Sequence, residues 1–524
     1  MNRLIPYIFP VILCQVLLAQ EPADSEIVRM EITDLRFHSN LEYKVFDEFE
    51  DGQVDFLNMI LAANPENDED ALAQYREWIG VIAGKISGGL LFDRISEERK
   101  IAAVQEYLRG NLLLTYHQDS RFENLVYSGT YNYITAPCLY ALVLNALNIP
   151  FAVKESADYI YLIAFPKTGR FVIETAIPEF RYRLFDQLTR ASFVNYLHDR
   201  GVIDDFTFRS RTTKELFVKY FFPREDLTLP GLAALQYMAQ AMEDIQKGKG
   251  DQAFFNLQKA YYLHPSYKVQ FLLLAQLNSF VGDLDLKTVT GLSYLAASAR
   301  YVTIGFRPDF FLKRFVDIRS LYPTEEEQFD QFEKAYHFLM DRVDNPYLKK
   351  NMTFLYHYDM AIQLDQAGHY EDALDNLERA FDYREMNEEM EDLFIKVLAD
   401  YAMNNSVADL IPRLEFYDRE YSITRHRDVY LLIEQNAILK YFGESFRVGD
   451  ARAGEQYRAE FEQLYAEHPD TGIDHDLMAR SYAAAADFYL HKGDASRSEQ
   501  VLRKGLELAP GNKQLLRKLD SPDH

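Results

Sequence analysis

Three segments in the second half of the chain share one spacing that few folds can satisfy. They read "YMAQAMEDIQKGKGDQAFFNLQKAYYLHP" from Tyr237, "HYDMAIQLDQAGHYEDALDNLERAF" from His357 and "YAAAADFYLHKGDASRSEQVLRKGLELAP" from Tyr482. In each, a small residue is followed twelve positions later by another: Ala241 and Ala253, Ala361 and Ala373, Ala486 and Ser498. Leu257, Leu377 and Leu502 then recur at helical spacing. Two antiparallel helices approach closely only where side chains are small, and large neighbours fill the remaining groove. The pattern therefore predicts helical hairpins that cannot bury their apolar faces alone and must stack.

These units resemble the tetratricopeptide repeat, whose pattern sets small residues, an aromatic and a closing proline at these intervals. From about Leu227 onward the sequence is helical in pattern, and "LFIKVLADYAM" and "DVYLLIEQNAILKYF" read as divergent units of the same stack. The resemblance implies an all-α solenoid over 227–524 that holds a protein or peptide partner. Single Ala or Tyr residues within it are read as core.

The pattern before it is different. Helical stretches such as "EDALAQYREWIGVIAG" precede "SGTYNYITAPCLYALVLNALNIPF", and two strands follow, "ADYIYLIAF" and "RFVIETAIP". In the first strand Tyr159, Tyr161 and Ile163 alternate with Ile160, Leu162 and Ala164, and Lys167-Thr168-Gly169 suits a hairpin turn. This order resembles the transglutaminase-like (papain-like) superfamily, in particular secreted bacterial members carrying tetratricopeptide repeats. There a catalytic Cys opens a helix, the next strand begins with a His, and the strand after it supplies an acid. The helix start and the imidazolium lower the thiol pKa.

Laid on that pattern, the nucleophile position is Tyr133, the base position Tyr159 (Asp158 if the register slips by one) and the acid position Glu174. A phenol with an ordinary pKa near ~10 replaces neither thiolate nor imidazole at neutral pH. The resemblance thus implies an α+β transglutaminase-like domain over 21–226 with a broken catalytic set, a pseudoenzyme acting as a rigid platform or recognition cleft. Tyr127, Tyr131, Tyr133, Tyr159 and Tyr161 come close together in the family's arrangement and are the cleft candidates.

One alternative keeps the chain an enzyme. Pro137 suits the first position of a helix, which would put Cys138 in its first turn as a relocated nucleophile of a cysteine hydrolase or acyltransferase. Against this, no histidine lies between His117 and His198, and Leu139, Leu142 and Val143 make a buried cysteine equally natural.

The N-terminus, "MNRLIPYIFPVILCQVLLAQEPADS", reads as a secretory signal over 1–20, with cleavage after Ala19 or Gln20. Its apolar run is shorter than the ~20 residues of a spanning helix. Leu13 stands where a lipid-attachment signal at Cys14 needs a small residue. The expectation is a periplasmic or secreted protein with no membrane segment after cleavage. Cys138 is then the one remaining cysteine, so no internal disulfide forms. A formal charge of −25 argues against nucleic acid as partner. The "GVIAGKIS" stretch lacks phosphate-loop spacing, and the histidines form no ligand motif, so neither cofactor nor metal is expected.

Overall fold

The computed structural model describes residues 30–88, 92–156, 160–175, 187–222, 226–323, 325–421 and 427–520. The expected signal sequence, Cys14 and Tyr159 lie outside the described residues. Among those residues the fold is predominantly helical with two small sheets, and no helix is long and apolar enough to cross a membrane. The chain divides into two units, residues 1–321 with 337–345 and residues 322–336 with 346–524.

In the first unit, polar side chains fix where helices begin. Ser39, Asp55, Asp68 and Ser96 each accept a backbone N–H of the first turn of Asn40–Glu50, Phe56–Ala62, Glu69–Ser87 and Glu97–Asn111. The central element is the helix Thr135–Ala146, buried without interruption from Thr135 to Leu144. A helix apolar on every side has to lie inside. It packs against Phe56–Ala62, Glu69–Ser87 and one face of a sheet.

That sheet has the order β5-β4-β3-β6, all antiparallel, from β3 (Phe151–Glu155), β4 (Ile160–Ala164), β5 (Phe171–Glu174) and β6 (Asp226–Leu227). In β4 Ile160, Leu162 and Ala164 are fully buried on one face, while on the other Tyr161 is half-buried and Ile163 is buried, so the expected alternation holds only in its first half. The sequence reading passed over β3, "FAVKE". The hairpin between β4 and β5 is longer than a tight turn and runs from Phe165 to Arg170, both at positive φ.

All-helical sequence does begin after β6, yet the compact unit continues to Leu321. The hairpin of Leu229–Gln246 and Gly250–Leu263 packs on the mixed part, with Leu229–Gln246 against Phe56–Ala62. Two buried ion pairs tie these regions. Lys259 meets Glu42 at 2.8 Å with both side chains at most 1% exposed, and Lys268 pairs with Glu155 at 3% exposure each.

In the second unit, Pro346–Gln366 pairs with Tyr370–Phe381, Asp428–Val448 with Ala451–Glu467, and His475–His491 with Ala495–Leu508. The helix Lys513–Leu519 packs over the last pair. Ala361, Ala373, Ala486 and Ser498 are all buried where the helices of their pairs meet, as the twelve-residue spacing predicts. Between these pairs lie Glu388–Asn404 and Val407–Glu420, where the corresponding positions are Leu398 and Leu410, and these two backbones approach less closely. One apolar core runs from Ala361 to Leu515.

Candidate functional site: a self-capped helix start beside a polar cleft

The helix Thr135–Ala146 begins two residues before Pro137, and its start is organised by Asn132. The Asn132 Oδ1 accepts the N–H groups of Ile134 at 2.9 Å and Thr135 at 2.8 Å. The Asn132 carbonyl accepts from Ala136 at 3.2 Å, and the Thr135 hydroxyl accepts the Asn132 N–H at 2.8 Å. The Asn132 Nδ2 in turn donates to the carbonyls of Gln118 at 2.9 Å and Ser120 at 2.7 Å. This reciprocal arrangement satisfies donors that a helix start otherwise leaves open, and Pro137 brings no N–H of its own. Such a turn has little left to offer an anion or a developing oxyanion.

Cys138 consequently sits in the second half of the opening turn, not at its mouth. Its N–H already bonds the Ile134 carbonyl at 3.1 Å. The residue has no exposed surface, and burial pushes its thiol far above the usual range. An apolar pocket disfavours the thiolate, which is the form that attacks. His117 comes near this region through its backbone, donating its N–H to the Tyr131 carbonyl at 2.8 Å, but its side chain is exposed at the surface.

Tyr133 is 9% exposed and borders a cleft of about 120 Å³. Asn132, Asp119 and Arg121 line one wall, and Gln236, Met238 and Met242 of the helix Leu229–Gln246 line the other. The remaining tyrosines stand elsewhere. Tyr131 lies in β2 (Thr130–Tyr131), which pairs in parallel with β1 (Thr115–Tyr116) and sets Tyr131 edge-on to Tyr116 at 5.7 Å. Tyr127 is 81% exposed at the end of Phe122–Ser128. Tyr161 is the register partner of Glu174 across β4 and β5. Among the described tyrosines named from the sequence, Tyr133 is the one at this cleft.

Glu174 closes β5 with an exposed side chain, while its backbone carbonyl accepts from the Arg109 guanidinium at 2.7 Å. Behind it, burial raises the pKa of the Tyr140 hydroxyl, and the neighbouring Arg109 cation works the other way. Among the described residues no group of three His, Cys, Asp or Glu could hold a metal ion. Sequence reasoning missed Asn132 and Gln236. Asn132 carries a legible signal, a capping residue three positions before Thr135 at the head of an apolar run. Gln236 carries none, because its role depends on which helix faces it.

No protein-family model matches the chain, and no curated protein matches it.

Proposed function

We propose that this chain is an exported, non-catalytic binding protein of the periplasm or the extracellular space. In this reading the N-terminal part is a transglutaminase-like domain that has lost its nucleophile and base and serves as platform or recognition cleft. The helical pairs behind it are tetratricopeptide-type repeats that engage a protein partner. One observation carries the reading: Cys138 is wholly buried with its thiol pushed upward, under a helix start whose donors Asn132 already occupies. A thiol in that state offers no thiolate, and a tyrosine at position 133 supplies no equivalent nucleophile.

The test uses the full chain as bait in an envelope fraction, followed by lysine cross-linking and mass spectrometry. Cross-links to one protein from Lys396, Lys440 and Lys492, all in the second unit, support the reading. Cross-links confined to Lys85, Lys100 and Lys214 overturn docking on the helical pairs, and no captured protein at all overturns the whole reading.

A further inference from the structure

The cleft between Tyr133 and the helix Leu229–Gln246 has a chemistry that selects among ligands. Its anchor is Gln236. This side chain is 8% exposed, borders the cleft, and its Oε1 is buried with no hydrogen-bond partner in the protein. A buried carboxamide oxygen left without a donor costs about 1–3 kcal/mol, so a native fold tolerates one mainly where something else supplies the N–H.

Charge narrows the choice. An anion finds no helix-start donors here, because Ile134, Thr135 and Ala136 give theirs to Asn132. A cation finds no net negative rim. Glu243 is paired with Lys247, and Asp119 is followed within two residues by Arg121 at the cleft. Arg121 stands on the same rim against Asp119 and Glu243, and with Lys247 these charges cancel, which favours a neutral ligand over an anion or a cation. Met238, Met242 and Phe221 form an apolar patch in an otherwise polar wall, and unbranched thioethers adapt to side chains of varied shape.

We infer that the cleft binds a neutral secondary amide carrying an apolar side chain, as an extended peptide segment presents it. The peptide group pairs with the Gln236 carboxamide, and the apolar side chain lies between Met238 and Met242. A peptide group offers one donor and one acceptor, and so does a carboxamide, so the match holds whichever way Gln236 is turned. A volume of about 120 Å³ is several times the ~10–15 Å³ that one water needs by the same measure, which gives room for one side chain and its peptide unit. This deepens the binding reading above and rests on it for its role, while its own test addresses the cleft alone.

The experiment titrates full-length protein carrying ¹³C-methyl methionine, with the Met238 and Met242 signals assigned by Met238→Leu and Met242→Leu. The probe is the capped tripeptide acetyl-Ala-Leu-Ala-methylamide, and isopentanol serves as an apolar control without an amide. The expected result is saturable movement of both methyl signals by the peptide alone. Gln236→Leu should weaken that binding about three- to ten-fold, the worth of one neutral hydrogen bond. Gln236→Asn, which keeps the group but shortens its reach, should weaken it similarly and covers the case that the Leu variant misfolds. Unmoved signals, an equal response to isopentanol, or unchanged affinity in both Gln236 variants would overturn the inference. Any of these failures, with cross-links still falling on the helical pairs, would leave the partner-binding reading standing.

Discussion

The Ser498 hydroxyl donates to the backbone carbonyl of Ala486 at 2.9 Å, across the interface between His475–His491 and Ala495–Leu508. Both residues are buried, at 0% and 1% exposure. The bond is possible only because Ala486 ends at its β carbon and Ser498 carries a single atom beyond it, so it measures how closely these helices approach. The same two positions are alanines in the pairs built on Ala241 and Ala361, where no side-chain bond is available and contact alone remains. Ser498→Ala should thus cost only the hydrogen bond, about 0.5–1.5 kcal/mol. Ser498→Leu should wedge the helices apart at an overpacking cost of about 1–3 kcal/mol. Urea unfolding of the two variants checks the order, and a Leu variant as stable as Ala would show that the interface is loose.

A second prediction concerns the Lys259–Glu42 pair, which joins Asn40–Glu50 to Gly250–Leu263 inside the first unit. Burial lowers the Lys259 pKa and the Glu42 carboxylate opposes that shift. The ammonium also lies 5.7 Å from the Tyr237 ring centre and 6.0 Å from that of Phe37. Lys259→Met alone strands a buried carboxylate and should cost about 3–5 kcal/mol, whereas Lys259→Met with Glu42→Leu should recover most of it. A double-mutant cycle by urea denaturation decides; additive losses would mean the two charges do not depend on each other.

This pair also explains where the sequence misleads. Lys259 lies in a hairpin that reads as repeat and Lys268 in the helix Tyr267–Asp283 that follows it, and lysines there look like solvent-facing residues. Their carboxylate partners, Glu42 and Glu155, are more than one hundred positions away, so no local pattern announces that the hairpin belongs to the first compact unit. Spacing was legible where Ala or Ser marks the close approach. It was hidden where Leu398 and Leu410 occupy both small positions, or where Phe442 takes the first of them and only Gly454 keeps the second small. A Cβ on Gly454 would stand 2.6 Å from the Phe446 ring, so that glycine serves as the small residue of its pair. At the candidate site the helix and β4 were readable from apolar pattern. The cap at Asn132 and the facing Gln236 needed three dimensions.

The third prediction is an acid limb. His264 in the first unit and His357 in the second both have pKa values lowered from 6.5, chiefly by burial. Lys268 deepens the shift at His264 while Glu155 opposes it, and at His357 Arg379 lowers it against the hydrogen bond that the ring donates to the Asn376 Oδ1. Each ring is held neutral in the fold but takes up a proton in the unfolded chain below pH 6.5. Unfolded protein then binds more protons, so stability falls as pH drops below that value. Melting temperatures at pH 7.5, 6 and 5 should decline for the parent and decline less for His264→Gln and His357→Gln. Identical slopes in all three proteins would remove these imidazoles from the account.

A fourth prediction follows from the burial of Cys138. In native buffer a thiol-reactive disulfide reagent should leave it unmodified, and full modification should appear only when urea unfolds the first unit. Cys138→Ala should then leave partner capture unchanged. Fast labelling of folded protein at mildly acidic pH would instead reveal an accessible thiolate and revive the relocated-nucleophile alternative.

The last prediction restores sulfur at the position where the resemblance expects it. Tyr133→Cys sets a thiol at the cleft, just ahead of the helix Thr135–Ala146, where a helix start ordinarily depresses a thiol pKa. Here the Ile134 and Thr135 N–H groups remain bonded to the Asn132 Oδ1 and the Ala136 N–H to the Asn132 carbonyl, so the new sulfur gains little from them. The pH dependence of its alkylation by iodoacetamide, measured in a Cys138→Ala background, should report a pKa near the free value of about 8.5. Hydrolysis of activated esters should stay at the background of the parent protein, because a thiol without a paired base is only weakly ionised at neutral pH. A pKa below about 7, together with ester turnover, would mean that the Arg121 guanidinium on the cleft wall, or a base, reaches the new sulfur. In that event the site would retain the means to run thiol chemistry.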